Sequence, residues 1–177
     1  MKACVLHLLA LAALCLHGLV VQADEPVDER AMKAAYLYNF ALFAQWPSLP
    51  DADFQLCVLG TTPLDAELMR LEGKRVQNGL PITMRWIRPG EPLSGCQVLY
   101  VDERNRRTLD SLLQQLAGSP VLTITDAAGL ADRGIMIEMR RQGQRLVFDV
   151  NLTAARRARL DFSARLLKLA SFVADRS

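Results

Sequence analysis

Phe54 to Leu59 read Phe-Gln-Leu-Cys-Val-Leu, and Gly60-Thr61-Thr62-Pro63 come directly after (FQLCVLGTTP). Six nearly unbroken apolar residues have the length of a strand but not the in-out alternation of one that faces water. The run therefore predicts a strand covered on both faces, as in a parallel sheet. The Gly-Thr-Thr-Pro turn leads into a helix expected near Pro63 to Leu71, with Thr62 as its cap and Pro63 at its first position.

Working outward, Met32, Ala35, Tyr36, Asn39, Phe40 and Phe43 recur at spacings of three and four, which predicts a helix from about Asp28 to Gln45. Trp46-Pro47 ends it, because the residue before a proline is pushed out of the helical region. Downstream, a turn at Gln77-Asn78-Gly79 precedes a strand over Ile82 to Ile87, and Arg88 to Gly95 is loop. Cys96 to Val101 and Val121 to Thr125 are further strands, separated by a helix from Asn105 to Ala117 that Gly118 stops. Gly134 to Arg140 and Arg145 to Val150 flank Arg141-Gln142-Gly143-Gln144 and read as an antiparallel hairpin. Asn151 or Thr153 then caps a helix through Arg156, Arg157 and Arg159. Leu160 to Val173 is expected to close the chain as an amphipathic helix built on Phe162, Leu166, Leu169, Ala170 and Val173. This order predicts an α/β fold: a single three-layer domain with a mainly parallel central sheet, a C-terminal antiparallel hairpin and flanking helices.

The first 23 residues stand apart. MKACVLHLLALAALCLHGLVVQA has one lysine, an apolar stretch and small residues at its end, the pattern of a cleaved secretory signal peptide. The alternative is a membrane anchor, but the apolar stretch falls short of the roughly 20 residues that span a bilayer. Cys15 does not read as a lipidation site, because Leu14 stands where a small residue is needed. The expected organisation is a signal peptide over 1–23 and one domain over 24–177.

Cleavage would leave 154 residues with 20 basic and 19 acidic side chains. Near neutrality excludes nucleic-acid binding by bulk positive charge. Both histidines, His7 and His17, fall in the first 23 residues, and so do Cys4 and Cys15. Histidine general bases, Ser-His-Asp triads and His-containing zinc sites are thereby excluded, and no cofactor or metal is expected. Cys57 and Cys96 remain, and in an oxidising compartment two cysteines most simply form one disulfide. Closing a loop of that length is worth roughly 4 kcal/mol at most. The other reading is a redox switch, for which Cys57 lacks the nearby cations that activate a thiolate.

Few residues suggest chemistry. Gly60-Thr61-Thr62 lies where open α/β sheets bind ligands, but it lacks either nucleotide-binding glycine spacing and also reads as a plain turn. Asp102 and Asp126 come after two strands on one sheet edge, where paired carboxylates coordinate a metal, do acid-base work or simply cap the next segment; with no histidine or third ligand in sight, capping is the reading preferred. Arginine outnumbers lysine 17 to 3 after residue 23, with groups at 104–107, 140–145 and 156–159. Such groups serve interfaces or are solvated faces. Tyr36, Tyr38, Phe40, Phe43 and Trp46 crowd into eleven residues. One face of that helix packs on the sheet; a second aromatic face, at Tyr38, is either core or a partner surface.

Several blocks in sequence order, KAAYLYNFALFAQWP, FQLCVLG, PVLTITD, GIMIEMRRQGQRLVFDVNLTAAR and LDFSARLLKLA, give the chain a resemblance to the YfiR-type periplasmic regulators. The resemblance implies a non-enzymatic repressor in the periplasm. Such a protein binds the periplasmic sensor domain of an inner-membrane diguanylate cyclase and holds it inactive, restraining cyclic di-GMP, exopolysaccharide and biofilm. It also implies an outer-membrane lipoprotein that sequesters the repressor, a homodimer, and a Cys57–Cys96 bridge. A second cysteine pair present in some members is absent here. Tyr36, Asn39, Phe40, Trp46 and Pro47 match the opening signature, and Asp126, Asp149 and Asn151 match later blocks; the family commonly has Glu at Asp149. These residues and Arg156 are candidates for partner or ligand binding, and Asn151 could simply cap a helix. The alternative function is a periplasmic small-molecule sensor using the crevice near Gly60 and Asp102.

Overall fold

A computed structural model describes residues 28–175. The expected signal peptide lies outside the described residues. Helix α1 runs Glu29–Phe43, with the Asp28 carboxylate accepting from Arg30 N at its start. The strands are β1 (Ala44–Gln45), β2 (Phe54–Leu59), β3 (Arg75–Val76), β4 (Leu80–Ile87), β5 (Cys96–Val101), β6 (Leu122–Thr125), β7 (Ile137–Gln142), β8 (Arg145–Asn151), β9 (Asp161–Phe162) and β10 (Phe172–Ala174). The later helices are α2 (Asp65–Met69), α3 (Leu109–Gln115), α4 (Leu152–Arg157) and α5 (Ala164–Leu169).

Eight strands form one sheet in the order β10-β8-β7-β6-β5-β2-β4-β3, and β1 pairs with β9 in a small antiparallel ladder. Only β7–β8 and β4–β3 are antiparallel within the large sheet. The strand alternation sorts two cores. Leu56, Val58, Val98, Tyr100, Leu122 and Ile124 face α1, α2, α4 and α5. Cys57, Leu59, Leu99 and Val101 face the other way, against Leu109 and Leu112 of α3. The fold is α/β, a three-layer domain as the apolar strands foretold.

Cys57 in β2 and Cys96 at the start of β5 are joined by a disulfide, with Cα atoms 5.8 Å apart. Both are buried, Cys57 completely. The bridge spans neighbouring parallel strands whose register shifts between Gln55 and Leu56, and so pins the sheet where its ladder is irregular.

Local boundaries differ from the sequence expectation in several places. Helix α1 ends at Phe43, not Gln45, because Ala44 and Gln45 pair with Phe162 and Asp161. The Gln77 side-chain amide takes over its end, donating to the carbonyls of Ala41, Leu42 and Ala44. Helix α2 starts at Asp65, since Pro63 and Leu64 lie in a turn in which Thr62 Oγ1 accepts from Leu64 N. The stretch before α3 is a 3₁₀ segment, Glu103–Thr108.

The largest difference is the closing helix expected over Leu160 to Val173. Arg159 adopts φ +62° and turns the chain, Phe162 is drawn into the β1 ladder, and Ser163 N donates to Phe43 O. Helix α5 then lasts six residues before Ala170 becomes extended and Phe172 to Ala174 join the sheet parallel to β8. Leu169, which the helical period placed inside, is 65% exposed, and Phe172 beside it is 61% exposed.

Replacing both cysteines by alanine should lower unfolding free energy by about 2–4 kcal/mol while leaving the far-ultraviolet circular dichroism unchanged. Denaturant titration of the oxidised and double-alanine proteins measures it. Equal midpoints would show that the bridge adds nothing to the sheet.

Candidate functional site

The sequence pattern points to a crevice where Gly60 and Asp102 come after adjacent strands. That crevice is closed. Asn105 sits in it, donating from Nδ2 to Leu59 O at 2.9 Å, and a Cβ on Gly60 would lie 3.3 Å from the same amide nitrogen. Asp102 is buried and acts as a cap: Oδ1 accepts from Arg104 N and Nε, and Oδ2 from Thr62 Oγ1. Asp126 takes a different role. Its Oδ2 accepts from Lys33 Nζ at 2.8 Å, and Thr125 Oγ1 does the local capping by accepting from Ala127 N.

Lys33 thus reaches from α1 to the end of β6. It also pairs with Glu29, which in turn binds Arg141 on β7, so four charges tie the start of α1 to two strand ends. Burial works against the charged form of Lys33, but the Asp126 and Glu29 carboxylates more than offset it and hold its pKa above the ordinary value. Beside this chain, Tyr100 is fully buried, and its hydroxyl and Asp126 Oδ1 have no hydrogen-bond partner among the described residues. Burial first, and the Asp126 charge second, push the phenol well above its usual range, so Tyr100 stays neutral.

A second polar group lies on the other face of the same strands, around the edge strand β10. Arg140 on β7 grips Asp149 on β8 with two hydrogen bonds, Nε to Oδ2 at 2.7 Å and Nη2 to Oδ1 at 3.2 Å, and reaches Ser171 Oγ at 3.0 Å. The two residues sit on neighbouring strands in the hairpin ladder, where Glu138 is directly opposite Asp149. The buried Glu138 carboxylate accepts from Gly129 N and Ala131 N, both at 2.9 Å, and so fixes the loop after β6. With Phe172 and Ala174 these side chains line a cleft of about 540 Å³. Asn151 stands at its margin, where Oδ1 caps α4 by accepting from Ala154 N and Nδ2 donates to Ala131 O. Arg156 pairs with Asp175, just beyond the end of β10.

Asp149 and Asn151 are therefore brought together, and Arg156 is tied to the end of the same edge strand. The opening signature is placed elsewhere. Tyr36 and Phe40 form an aromatic trio with Phe148 of β8, with centroids 4.9–5.9 Å apart, and Tyr36 Oη donates to Leu146 O. Trp46 packs edge-on against Phe54. Asn39 bonds back to Ala35 O. Tyr38 donates to Arg75 O and carries Lys74 over its ring; the helix's second aromatic face is used within the chain.

Residues 30–171 match the sequence profile of the YfiR/HmsC-like family, most of the chain and nearly every element described. The chain belongs to that family. The YfiR/HmsC-like proteins are periplasmic regulators in cyclic di-GMP signalling, not catalysts. Among the described residues, no group of three or more His, Cys, Asp or Glu is placed to hold a metal, and no helix is long and apolar enough to cross a membrane.

Sequence reasoning missed Lys33, Glu138 and Phe172. Glu138 carried a signal, since a carboxylate inside the strand IMIEM needs a buried partner. Phe172 carried none, because its exposure results from the breaking of the final helix.

Lys33→Met should destabilise the fold by about 1–3 kcal/mol, leaving the largely buried Asp126 without its cation; adding Asp126→Leu should recover part of the loss. Because the folded pKa of Lys33 is raised, its contribution is complete below the unfolded value of about 10.4 and is lost only as pH rises through the folded value. The difference in unfolding free energy between wild type and Lys33→Met should be flat across neutral pH and shrink only in strong alkali. A gap that closes already between neutral pH and about pH 9 would contradict the assignment.

Proposed function

We propose that this protein is exported to the periplasm and there binds and represses the periplasmic sensor domain of an inner-membrane diguanylate cyclase. The effect is lower cyclic di-GMP and lower exopolysaccharide and biofilm output. The family match running from α1 to the edge of β10 carries this reading. The architecture is consistent with it: Asp102, Asp126, Glu138 and Asp149 are taken up in caps, loop contacts and ion pairs, and the chain instead offers an edge.

Among the described residues, strand β10 is paired on one side only, with β8, and stands at the end of the sheet. Two of the three large apolar side chains most exposed among the described residues, Leu169 and Phe172, lie within four positions of each other there. An exposed strand edge with apolar anchors beside it is a surface that a partner's chain can extend. The occupant in this reading is the cyclase sensor domain, with Arg140 and Asp149 setting the polar rim. An outer-membrane lipoprotein would sequester the repressor by competing for it, and self-association as a homodimer belongs to the same proposal.

The cleft beside Asp149 gives a second reading some support, that of a small-molecule sensor. At about 540 Å³ it has the size of a ligand site. A ligand there would act on the edge strand through Phe172 and so tune repression.

Deleting the gene in a strain that expresses the cognate cyclase should raise cyclic di-GMP and aggregation severalfold, and restoring the gene should reverse both. Unchanged nucleotide levels would defeat the repressor reading. Phe172→Asp, a substitution at an exposed site, should keep the melting temperature within a few degrees yet lose co-purification with the cyclase periplasmic domain and fail to restore repression.

A further inference from the structure

A large cavity without charged walls lies at the amino-terminal end of the parallel strands, away from β10. It is a cleft of about 680 Å³ between the segment after β1, the loop before β5 and the turn that succeeds α3. In a chain with 23% charged residues, no charged side chain among the described residues lines it. Its lining combines two kinds of side chain. Trp46, Pro50 and Pro120 present flat apolar faces, and Ser48, Ser119 and Gln115 present groups that both donate and accept hydrogen bonds.

Two buried polar atoms at this end of the sheet lack partners among the described residues. Trp46 lines the cleft, and its Nε1 donor has no acceptor. Gln55 Oε1 is an acceptor without a donor, and it lies 3.2 Å from the point where a Cβ on Gly95 would stand; Gly95 itself lines the cleft. A Cβ there would crowd that oxygen, and φ +87° at Gly95 favours glycine as well. Gln55 is held by its own backbone, whose N–H donates to Gln97 Oε1 at 2.7 Å, which fixes the base of the side chain that carries the unpartnered oxygen.

We infer that this cleft is a binding site for an uncharged, hydroxyl-rich ligand of the chemical class of short neutral oligosaccharides. A charged ligand would be stripped of water with no counter-charge to meet it. A purely apolar ligand would bury serine and glutamine side chains unpaired. Sugar rings meet both demands, because their C–H faces lie against indole and proline while their hydroxyls donate and accept along the rim. The cleft's volume falls within the range of small-ligand sites. Its position makes it independent of the β10 edge, so the inference stands or falls apart from the repressor reading. The Cys57–Cys96 bridge contributes Cys96 to the lining and holds the strand start in place.

The protein has two tryptophans, Trp46 and Trp86, and Trp86 Nε1 is already satisfied by Asp65 Oδ1 at 2.8 Å. Their indole N–H signals in a nitrogen-proton correlation spectrum therefore make a site reporter and an internal control, assigned with Trp86→Phe. Titration of the purified protein with cellotetraose and with chitotetraose at millimolar concentrations should move the Trp46 signal saturably with at least one of them and leave Trp86 in place. A uronic-acid tetramer of the same length should bind at least tenfold more weakly. Ser119→Arg, which places a charge in the cleft, should weaken binding at least tenfold, while Ser119→Thr should preserve it. Four results overturn the inference: no saturable shift with either neutral saccharide, equal movement of both indoles, binding of the acidic tetramer as tight as the neutral ones, or undiminished binding by Ser119→Arg in a protein whose spectrum is otherwise native.

Discussion

The demand that β2, β5 and β6 be covered on both faces governs the rest of the molecule. Their side chains are apolar above and below, with Leu56, Val58 and Tyr100 on one side and Cys57, Leu59 and Leu99 on the other, all at or near zero exposure. Exposing either face would lose roughly 25 cal/mol for each Å² of apolar surface. The chain therefore places α1, α2, α4 and α5 on one side and α3 on the other. The disulfide adds a covalent tie between two of these strands where their register shifts. Because the middle of the sheet is filled this way, openings remain at its ends and edges.

The placement of polar groups obeys the same constraint. Tyr100 extends from a buried strand toward the end of the sheet, and its hydroxyl arrives beside Asp126. Lys33 then has to neutralise Asp126 from α1, which fixes where that helix crosses the strands. Its other end is held by Gln77, whose single amide nitrogen serves three carbonyls left open by the helix's early end. Between these two anchors, Tyr36 and Phe40 dock on Phe148. The aromatic signature of the opening helix is thus explained by packing, and the surface proposed for partners lies at the C-terminal edge.

The cysteine pair was legible by count, since Cys57 and Cys96 alone remain after residue 23. The central strands, the hairpin with its Gly143 turn and the capping by Asn151, one of two candidates with Thr153, were legible in the sequence, because each depends on a short pattern or a local hydrogen bond. Asp102 was legible as a cap for the same reason. Asp126 was not: nothing near it in sequence reveals a lysine 93 positions earlier. The crevice at Gly60 looked open because strand ends in such sheets usually are, and it took Asn105, folded back from the 3₁₀ segment, to fill it.

The sequence by itself determined an α/β domain with a sheet buried on both faces, a single pair of cysteines after residue 23, Cys57 and Cys96, and the absence of histidine chemistry there. Those properties are set by composition and by period, which can be read without knowing any tertiary contact. Tertiary structure alone decided the end of the chain. A helical period over Leu160 to Val173 was satisfied only from Ala164 to Leu169, because Phe162 pairs with Ala44 and Phe172 to Ala174 find unpaired backbone on β8. Helix propensity differs among ordinary residues by only a few tenths of a kcal/mol, and strand pairing with distant segments outweighs it. That trade leaves Leu169 and Phe172 in solvent beside an open strand, the edge on which the proposed regulatory contact depends.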